Sequence, residues 1–330
     1  MNKKIIPVTL SAMLSALCFF GAMLFALSFP AQAKQAGKMP RIGYLNHHPG
    51  PLVTDKAFFQ GLRDLGWIEG KNIHIVYRWA ARKKHLYPAL AEELVRMKVD
   101  IIVTATRPIA QAAKNATTTI PIVMVSGGDA VEHGFVASLA RPGGNITGMS
   151  EPIADIHTKL LELLHETLPK VKRVVFPLRF KNSTGEKHVL KKLHAMAPAL
   201  GITIHAERIE RVLNSAVQER IGALMVLGGT YNVYGRRIAK FAAKKRIPVF
   251  SFSSTPVKNH FGLLAYGPDF SAQFRRAATH VDKILKGANP GDLPIEQPTK
   301  FELMINLKTA RKLGLTIPPE VLFRADKVIK

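Results

Sequence analysis

Two apolar, β-branched runs flanking one short helical stretch, all within Val99–Asp129, restrict this chain to few architectures. The run Asp100-Ile-Ile-Val-Thr104 is continuous rather than alternating, which suits a parallel strand covered on both faces. A polar turn, Thr104 to Arg107, follows at once. Pro108 fits the first turn of a helix, where its missing N–H costs nothing, and Ile109 to Asn115 continue at helical spacing. The second run, Pro121 to Val125, ends in Ser126-Gly127-Gly128-Asp129, where glycine lets backbone come close to a ligand. Ligands of parallel α/β sheets sit beyond the carboxyl ends of the strands, so both turns belong to one half of a cleft.

The same alternation runs through the rest of the chain. Arg41–Leu45 and Ile73–Tyr77 read as strands, Phe58 to Leu65 as a helix stopped by Gly66, and Leu86–Met97 as an amphipathic surface helix. Ile146–Met149 is a short strand leaving this first set near Ser150. A second set follows, with helices Ile156–Leu168, Glu186–Leu200 and Gly235–Lys245 and strands Val171–Phe176, Gly201–Ile204, Ala223–Leu227, Ile247–Phe252 and Gly262–Tyr266. Gly228 to Tyr231 and Ser251 to Thr255 are expected as strand-end turns. Asp269 caps a long helix reaching about Lys286, Pro290–Pro298 is a linker, and Phe301–Leu307 a last strand before the short helix Lys308–Leu313. The expected fold is α/β, with two lobes built on parallel central sheets and a chain that crosses between them more than once. The first lobe takes residues 39–149 and about 267–290, the second 150–266 and about 291–330.

The N-terminus has the pattern of a secretory signal: Lys3 and Lys4, an apolar core from Met13 to Leu27, then Pro30 before Ala31-Gln32-Ala33. Cleavage is expected after Ala33, which would place the protein in the periplasm or otherwise outside the cytoplasm; an uncleaved anchor spanning Ile5–Phe29 is the alternative. Cys18, the single cysteine, lies inside this segment, so the processed chain would have neither disulfides nor cysteine-held metal. Formal charge is +24, and loss of Lys3 and Lys4 leaves +22. Such an excess favours acidic partners, but Lys and Arg are spread over every helix without interleaved aromatics, so a solvated surface is expected and no nucleic acid partner.

Arg41-Ile-Gly-Tyr-Leu45, Gly66-Trp-Ile-Glu-Gly-Lys-Asn-Ile73, Tyr77-Arg-Trp-Ala80, Val136-Ala-Ser-Leu-Ala-Arg-Pro-Gly-Gly-Asn145, Pro298-Thr-Lys-Phe-Glu-Leu303, Asn306-Leu-Lys-Thr-Ala310 and Leu313-Gly-Leu-Thr-Ile-Pro-Pro319 together resemble the substrate-binding proteins of ABC importers of the tryptophan/tyrosine-binding type. The resemblance spans about Pro40 to Lys330. It implies a type I periplasmic binding-protein fold, with two Rossmann-like lobes joined by a hinge, a small molecule held between them, and delivery to an ABC permease in the inner membrane. The family's third-strand turn usually reads Gly-Thr-Pro and its fourth carries Gly-Asp-Pro; here they read Thr106-Arg107-Pro108 and Gly128-Asp129-Ala130. Arginine in place of threonine gives up a helix cap but offers a two-pronged donor for carboxylate or phosphate, which favours a more anionic ligand. The family's crossover helix is shortened here to about Val212–Arg220.

Candidate ligand contacts are therefore Asn46, His47, Thr106, Arg107, Ser126 and Asp129 from the first lobe, and Thr230, Tyr231, Ser251, Ser253 and Tyr266 from the second. No catalytic motif is present: there is no Gly-x-Ser-x-Gly elbow, P-loop or Gly-x-Gly-x-x-Gly, and no pair of histidines at metal-ligand spacing. A monomer without cofactor is expected, binding a carboxylate-bearing, amino-acid-like or aromatic solute. The alternatives are a ligand sensor feeding a membrane receptor, an enzyme on the same scaffold and, third, a nucleic-acid or membrane-surface role driven by charge.

Overall fold

A computed structural model of the chain describes residues 39–179, 184–214 and 221–330. The expected leader, Cys18 included, and most of the shortened crossover lie outside the described residues. Strands and helices alternate from the start: β1 (Arg41–Asn46), α1 (Val53–Asp64), β2 (His74–Trp79), α2 (Tyr87–Arg96), β3 (Ile101–Thr104), α3 (Arg107–Ala116), β4 (Ile122–Met124) and β5 (Ile146–Gly148). All five strands run parallel in the order β2-β1-β3-β4-β5. The pairing sets Leu45, Thr104, Met124 and Gly148 in one row, so the turns after β1, β3, β4 and β5 line a single edge of the sheet.

The chain then builds a second sheet: α4 (Ile153–Thr167), β6 (Arg173–Leu178), α5 (Thr184–Met196), β7 (Thr203–Arg208), α6 (Ile209–Leu213), β8 (Ala223–Val226), α7 (Gly228–Lys245), β9 (Val249–Ser251), α8 (Thr255–Asn259) and β10 (Leu264–Pro268). It returns through α9 (Phe270–Leu285), then ends with β11 (Phe301–Asn306), α10 (Leu307–Leu313), α11 (Pro319–Phe323) and β12 (Lys327–Ile329). The seven strands stand in the order β12-β11-β10-β9-β8-β6-β7, and only the β10–β11 pair is antiparallel. Two α/β lobes with largely parallel sheets are thus present, as the alternation requires.

Three departures from the expected elements have local causes. Gly228–Tyr231 is not a loop: the chain passes from β8 directly into α7 at Gly228, and the Tyr231 ring lies against Gly235, where a Cβ would be 2.8 Å from a ring carbon. The turn expected at Ser251 to Thr255 stops at Ser254, because Thr255 opens the short helix α8 with Pro256 in its first turn. Residues 291–296 belong with the first sheet, beyond the 290 boundary, because Ile295 is buried in that lobe's core and the Thr147 hydroxyl donates to the Leu293 carbonyl at 2.8 Å.

Each lobe is packed on both faces of its sheet. In the first, α1 and α9 cover one face with Phe58, Leu62, Phe274, Ala277 and Val281, and α2 and α3 cover the other with Leu94, Ile109 and Ala113. Asp269 caps α9 as expected, its carboxylate accepting from the Ser271 and Ala272 N–H groups at 3.0 and 3.1 Å. The Trp67 indole donates to Asp282 of α9 at 2.9 Å, fixing the returning helix on the lobe it left.

The crossings lie side by side. Ser150 N–H donates to the Glu296 carbonyl and Glu296 N–H to that of Gly148, both at 2.9 Å, while Asp269 N–H reaches Lys300 at 3.3 Å. Glycine precedes the first two crossings for a steric reason. Gly148 has φ +122°, and a Cβ there would collide with the Met124 carbonyl; at Gly267 it would collide with that of Phe252. Gly148→Ala is therefore expected to lower stability by about 3 kcal/mol by pushing β5 off β4, measurable by urea unfolding.

Candidate functional site

The edge of the first sheet and the β6–α5 end of the second approach one another, and charged side chains mark the approach. From the first lobe come His47 after β1, Lys84 before α2, Arg107 opening α3, and Glu132 and His133 beyond the Ser126–Asp129 turn. Arg179 and the start of α5 face them from the second. Glu132 pairs with His188 of α5 at 3.3 Å, and the His133 ring lies against Gly185, where a Cβ would be 3.7 Å away. Arg107 is half-buried; burial depresses its pKa, and the carboxylates of Glu132 and Glu186, one from each lobe, oppose that. Lys84 is depressed by burial and by its neighbours Arg179 and Arg107.

Burial also drives His47 down to about 4, with His48, Arg82, Arg179 and Lys84 adding to the shift, so this ring is neutral at pH 7. Its Nδ1 is buried without a hydrogen-bond partner. His133 falls to about 4 for the same first reason, with Arg107 beside it. Two neutral imidazoles thus sit among guanidinium and carboxylate groups.

The sequence candidates divide in two. His47, Thr106, Arg107, Ser126 and Asp129 stand around the first lobe's edge. Thr106 is the N-cap of α3 but makes no side-chain cap, and Asp129 accepts from Glu132 N–H at 3.0 Å, holding the turn closed. Asn46 lies beneath them: its amide donates to Asp55 at 2.7 Å and its oxygen accepts from His47 N–H at 2.6 Å. With Tyr44 also donating to Asp55, Asn46 orients the turn rather than presenting its amide to the cleft.

The second-lobe candidates sit deeper. Thr230 and Ser251 are buried, Ser251 accepting from Ser253 N–H at 3.1 Å. Ser253 is half-buried, and its hydroxyl donates to that of Thr255 at 3.3 Å. Tyr231 is inside the core beneath α7, its hydroxyl without a partner and its pKa raised by burial. Tyr266 stacks on Phe301, with ring centres 5.7 Å apart. Both rings are occupied in packing. Among the described residues no three His, Cys, Asp or Glu side chains gather as a metal site would require.

The edge geometry depends on a residue that the motifs do not reveal. Glu151, on the first crossing, is fully enclosed, and its carboxyl accepts from Gly128 N–H at 2.8 Å, from the Gln273 amide of α9 and from the Ser126 hydroxyl. Ser150 beside it donates to the Gly128 carbonyl at 2.9 Å and accepts from Ala130 N–H at 3.1 Å. The Ser126–Asp129 turn is therefore fastened to the crossing and to the returning helix. Its only sequence signal was a carboxylate placed between apolar residues, Met149 and Ile153.

The family model described as ABC transporter substrate binding protein matches residues 42–329. The chain belongs to that family. A tyrosine-binding protein of Clostridioides difficile is 30% identical over 284 residues, covering 83% of this chain and 80% of the relative. Among solved structures, a conserved domain protein of Vibrio cholerae superposes with a TM-score of 0.80 at 27% identity, covering 88% of this chain and 100% of the other. An ABC domain from Streptococcus pneumonia in complex with L-Trp gives the same TM-score at 23% identity, over 88% and 100% of the two chains. The ligand-free, open form of a substrate-binding protein with adhesive properties from Clostridium difficile gives 0.69 at 25% identity, over 88% and 99%.

In this ABC transporter substrate-binding protein, Glu151 supplies a pH-dependent test of the first lobe's edge. Burial raises its pKa from 4.5 to about 7, against the hydrogen bonds of Gln273, Ser126 and Gly128. The folded state therefore retains a proton that the unfolded chain releases across this interval, and the residue's contribution to stability falls as pH rises from 4.5 to about 7. Glu151→Gln, which imitates the protonated form, is expected to match wild type near the bottom of that window. Above it the variant gains by on the order of 3 kcal/mol, read as the difference between two urea-unfolding series taken across pH.

Proposed function

We propose that the protein captures a small carboxylate-bearing solute, amino-acid-like or aromatic, between its lobes and delivers it to an ABC permease in the inner membrane. The observation that carries this reading is the convergence of Lys84 and Arg107 from one lobe with Arg179 from the other, beside Asp129 and Glu132. Such an arrangement meets a carboxylate with cations and leaves carboxylates nearby for an ammonium group. The name of the tyrosine-binding relative, at 30% identity, supports an amino-acid-like solute.

In this reading Arg107 has two states. Without solute its guanidinium faces Glu132 and Glu186, which offset part of the cost of its burial. A bound carboxylate joins or replaces them as the lobes close, so a substrate anion stabilises the closed arrangement. Neutral His47 and His133 supply hydrogen-bonding surface without adding charge. Export through the N-terminal segment, with cleavage after Ala33, and function as a monomer complete the reading; Thr106, Ser126 and Ser253 are the hydroxyls it assigns to the solute.

A thermal-shift panel of amino acids, organic acids and aromatic acids tests it. The cognate solute at a hundredfold its Kd is expected to add about 2.7 kcal/mol of stability. Arg107→Ala is expected to weaken that solute at least tenfold by calorimetric titration, with neutral analogues little affected. Unchanged affinity removes Arg107 from the site.

A further inference from the structure

The positive charge is divided unequally between the lobes. Residues 39–149 and 269–296 carry 17 Lys and Arg against 12 Asp and Glu, whereas 150–268 and 297–330 carry 26 against 11. Within the second lobe the imbalance is concentrated: from Arg220 to Pro268 there is no Asp or Glu, while eight Lys or Arg occur. The described part of this stretch forms β8, α7, β9, α8 and β10.

Helix α7 gathers most of these cations on one face. Tyr231, Gly235, Ile238 and Ala242 point into the core, and the opposite side exposes Val233, Arg236, Arg237, Lys240 and Lys244, spaced by three or four residues, followed by Lys245 and Arg246. Among the described residues none of these six cations has a carboxylate ion-pair partner. Arg237 rests over the Tyr234 ring at 5.7 Å, and the Tyr234 hydroxyl takes up the adjacent Glu210 at 2.7 Å. Elsewhere both lobes pair their cations: Arg78 with Glu93, Arg96 with Glu92 and Arg276 with Glu296 in the first, Lys159 with Glu162, Lys192 with Asp155 and Arg324 with Glu166 in the second. The cations of α7 are set apart by their number on one face.

We propose that the exposed face of α7 is a docking surface for an anionic phospholipid bilayer, on which the helix lies flat. Charge complementarity selects an anionic partner, and two features favour a bilayer over nucleic acid. Val233, 57% exposed, gives the stripe an apolar end able to enter the headgroup layer, and the partly exposed Tyr234 ring beside it is already covered by the Arg237 guanidinium, so it is not open for bases to stack on. The inference rests in part on the importer reading, since a permease embedded in a membrane gives this chain a reason to stay near that surface. Each Lys or Arg near an anionic bilayer strengthens attachment by about fivefold, so a cluster is effective where a single charge is not.

The test is co-sedimentation of the full chain with vesicles of mixed phosphatidylcholine and phosphatidylglycerol, against pure phosphatidylcholine, over a salt series. The variant Arg236→Gln/Lys240→Gln/Lys244→Gln is compared with Lys56→Gln/Lys71→Gln/Lys283→Gln, which removes the same charge from exposed sites of the first lobe. All chains carry the same N-terminal segment, so it does not contribute to the difference. Expected are phosphatidylglycerol-dependent, salt-sensitive binding, a loss of at least tenfold in the α7 variant and a much smaller loss in the other. Equal losses, or binding indifferent to phosphatidylglycerol, overturn the proposal, as does tighter α7-dependent binding to soluble DNA or polyglutamate than to the vesicles. Solute-induced thermal shifts measured on the α7 variant, which leaves the cleft intact, report separately on the importer reading.

Discussion

Glu151 stands where the chain first leaves the five-stranded sheet, and its enclosed carboxyl gathers three donors from two places: Gly128 N–H and the Ser126 hydroxyl of one turn, and the Gln273 amide of the returning helix. A buried carboxyl is costly unless its oxygens are satisfied, and here the donors that satisfy it are the parts that must be held together. The glycine turn at the strand edge, the first crossing and the helix that returns from the second lobe become one unit. Without it, the Ser126–Asp129 turn would keep its bonds to Ser150 but lose its tie to the returning helix. With it, the turn has a fixed relation to the first crossing between the lobes.

The same economy of partners shapes the charges above. Arg107 and Lys84 lie in surroundings that disfavour them, yet one faces Glu132 and Glu186 while the other has guanidinium neighbours. Cross-lobe electrostatics is therefore attractive at the Arg107 end, where Glu132 also meets His188 across the gap, and repulsive where Lys84 faces Arg179. In the proposed reading an anionic solute is placed at the repulsive end. On that reading, the ligand's charge lies toward Lys84 and Arg179, which gives the bound molecule a polarity as well as a charge.

Much of the fold was legible because it is written in local pattern. Continuous apolar runs gave the buried strands of both sheets, Pro108 the start of α3, and Asp269 the cap of α9, where the carboxylate does accept two N–H groups. Other features depend on partners far along the chain. Glu151 meets residues 23 and 122 positions away, so nothing near it in sequence announces a buried carboxyl. Gly228-Gly229 read as a turn because glycine usually punctuates; here β8 enters its helix without one, and Thr230 and Tyr231 turn inward instead of lining a loop. The Asn46 side chain was visible as polar and strand-terminal, but its engagement by Asp55 requires α1 to be in place.

These observations separate two kinds of polar residue at a strand edge. Asn46, Ser150 and Glu151 spend their hydrogen bonds on backbone and neighbouring side chains, so their geometry is fixed before any solute arrives. His47, with an unpartnered Nδ1, and Arg107, between two carboxylates, are the residues to which the proposed reading assigns the solute. Specificity in such a cleft comes from the second kind, because an unpaired buried donor or acceptor is stabilised by a matching ligand and left at a cost by one that does not match. The first kind determines how steeply that discrimination acts: a rigid turn cannot rearrange to satisfy a mismatched solute, and the mismatch is then borne in the binding free energy.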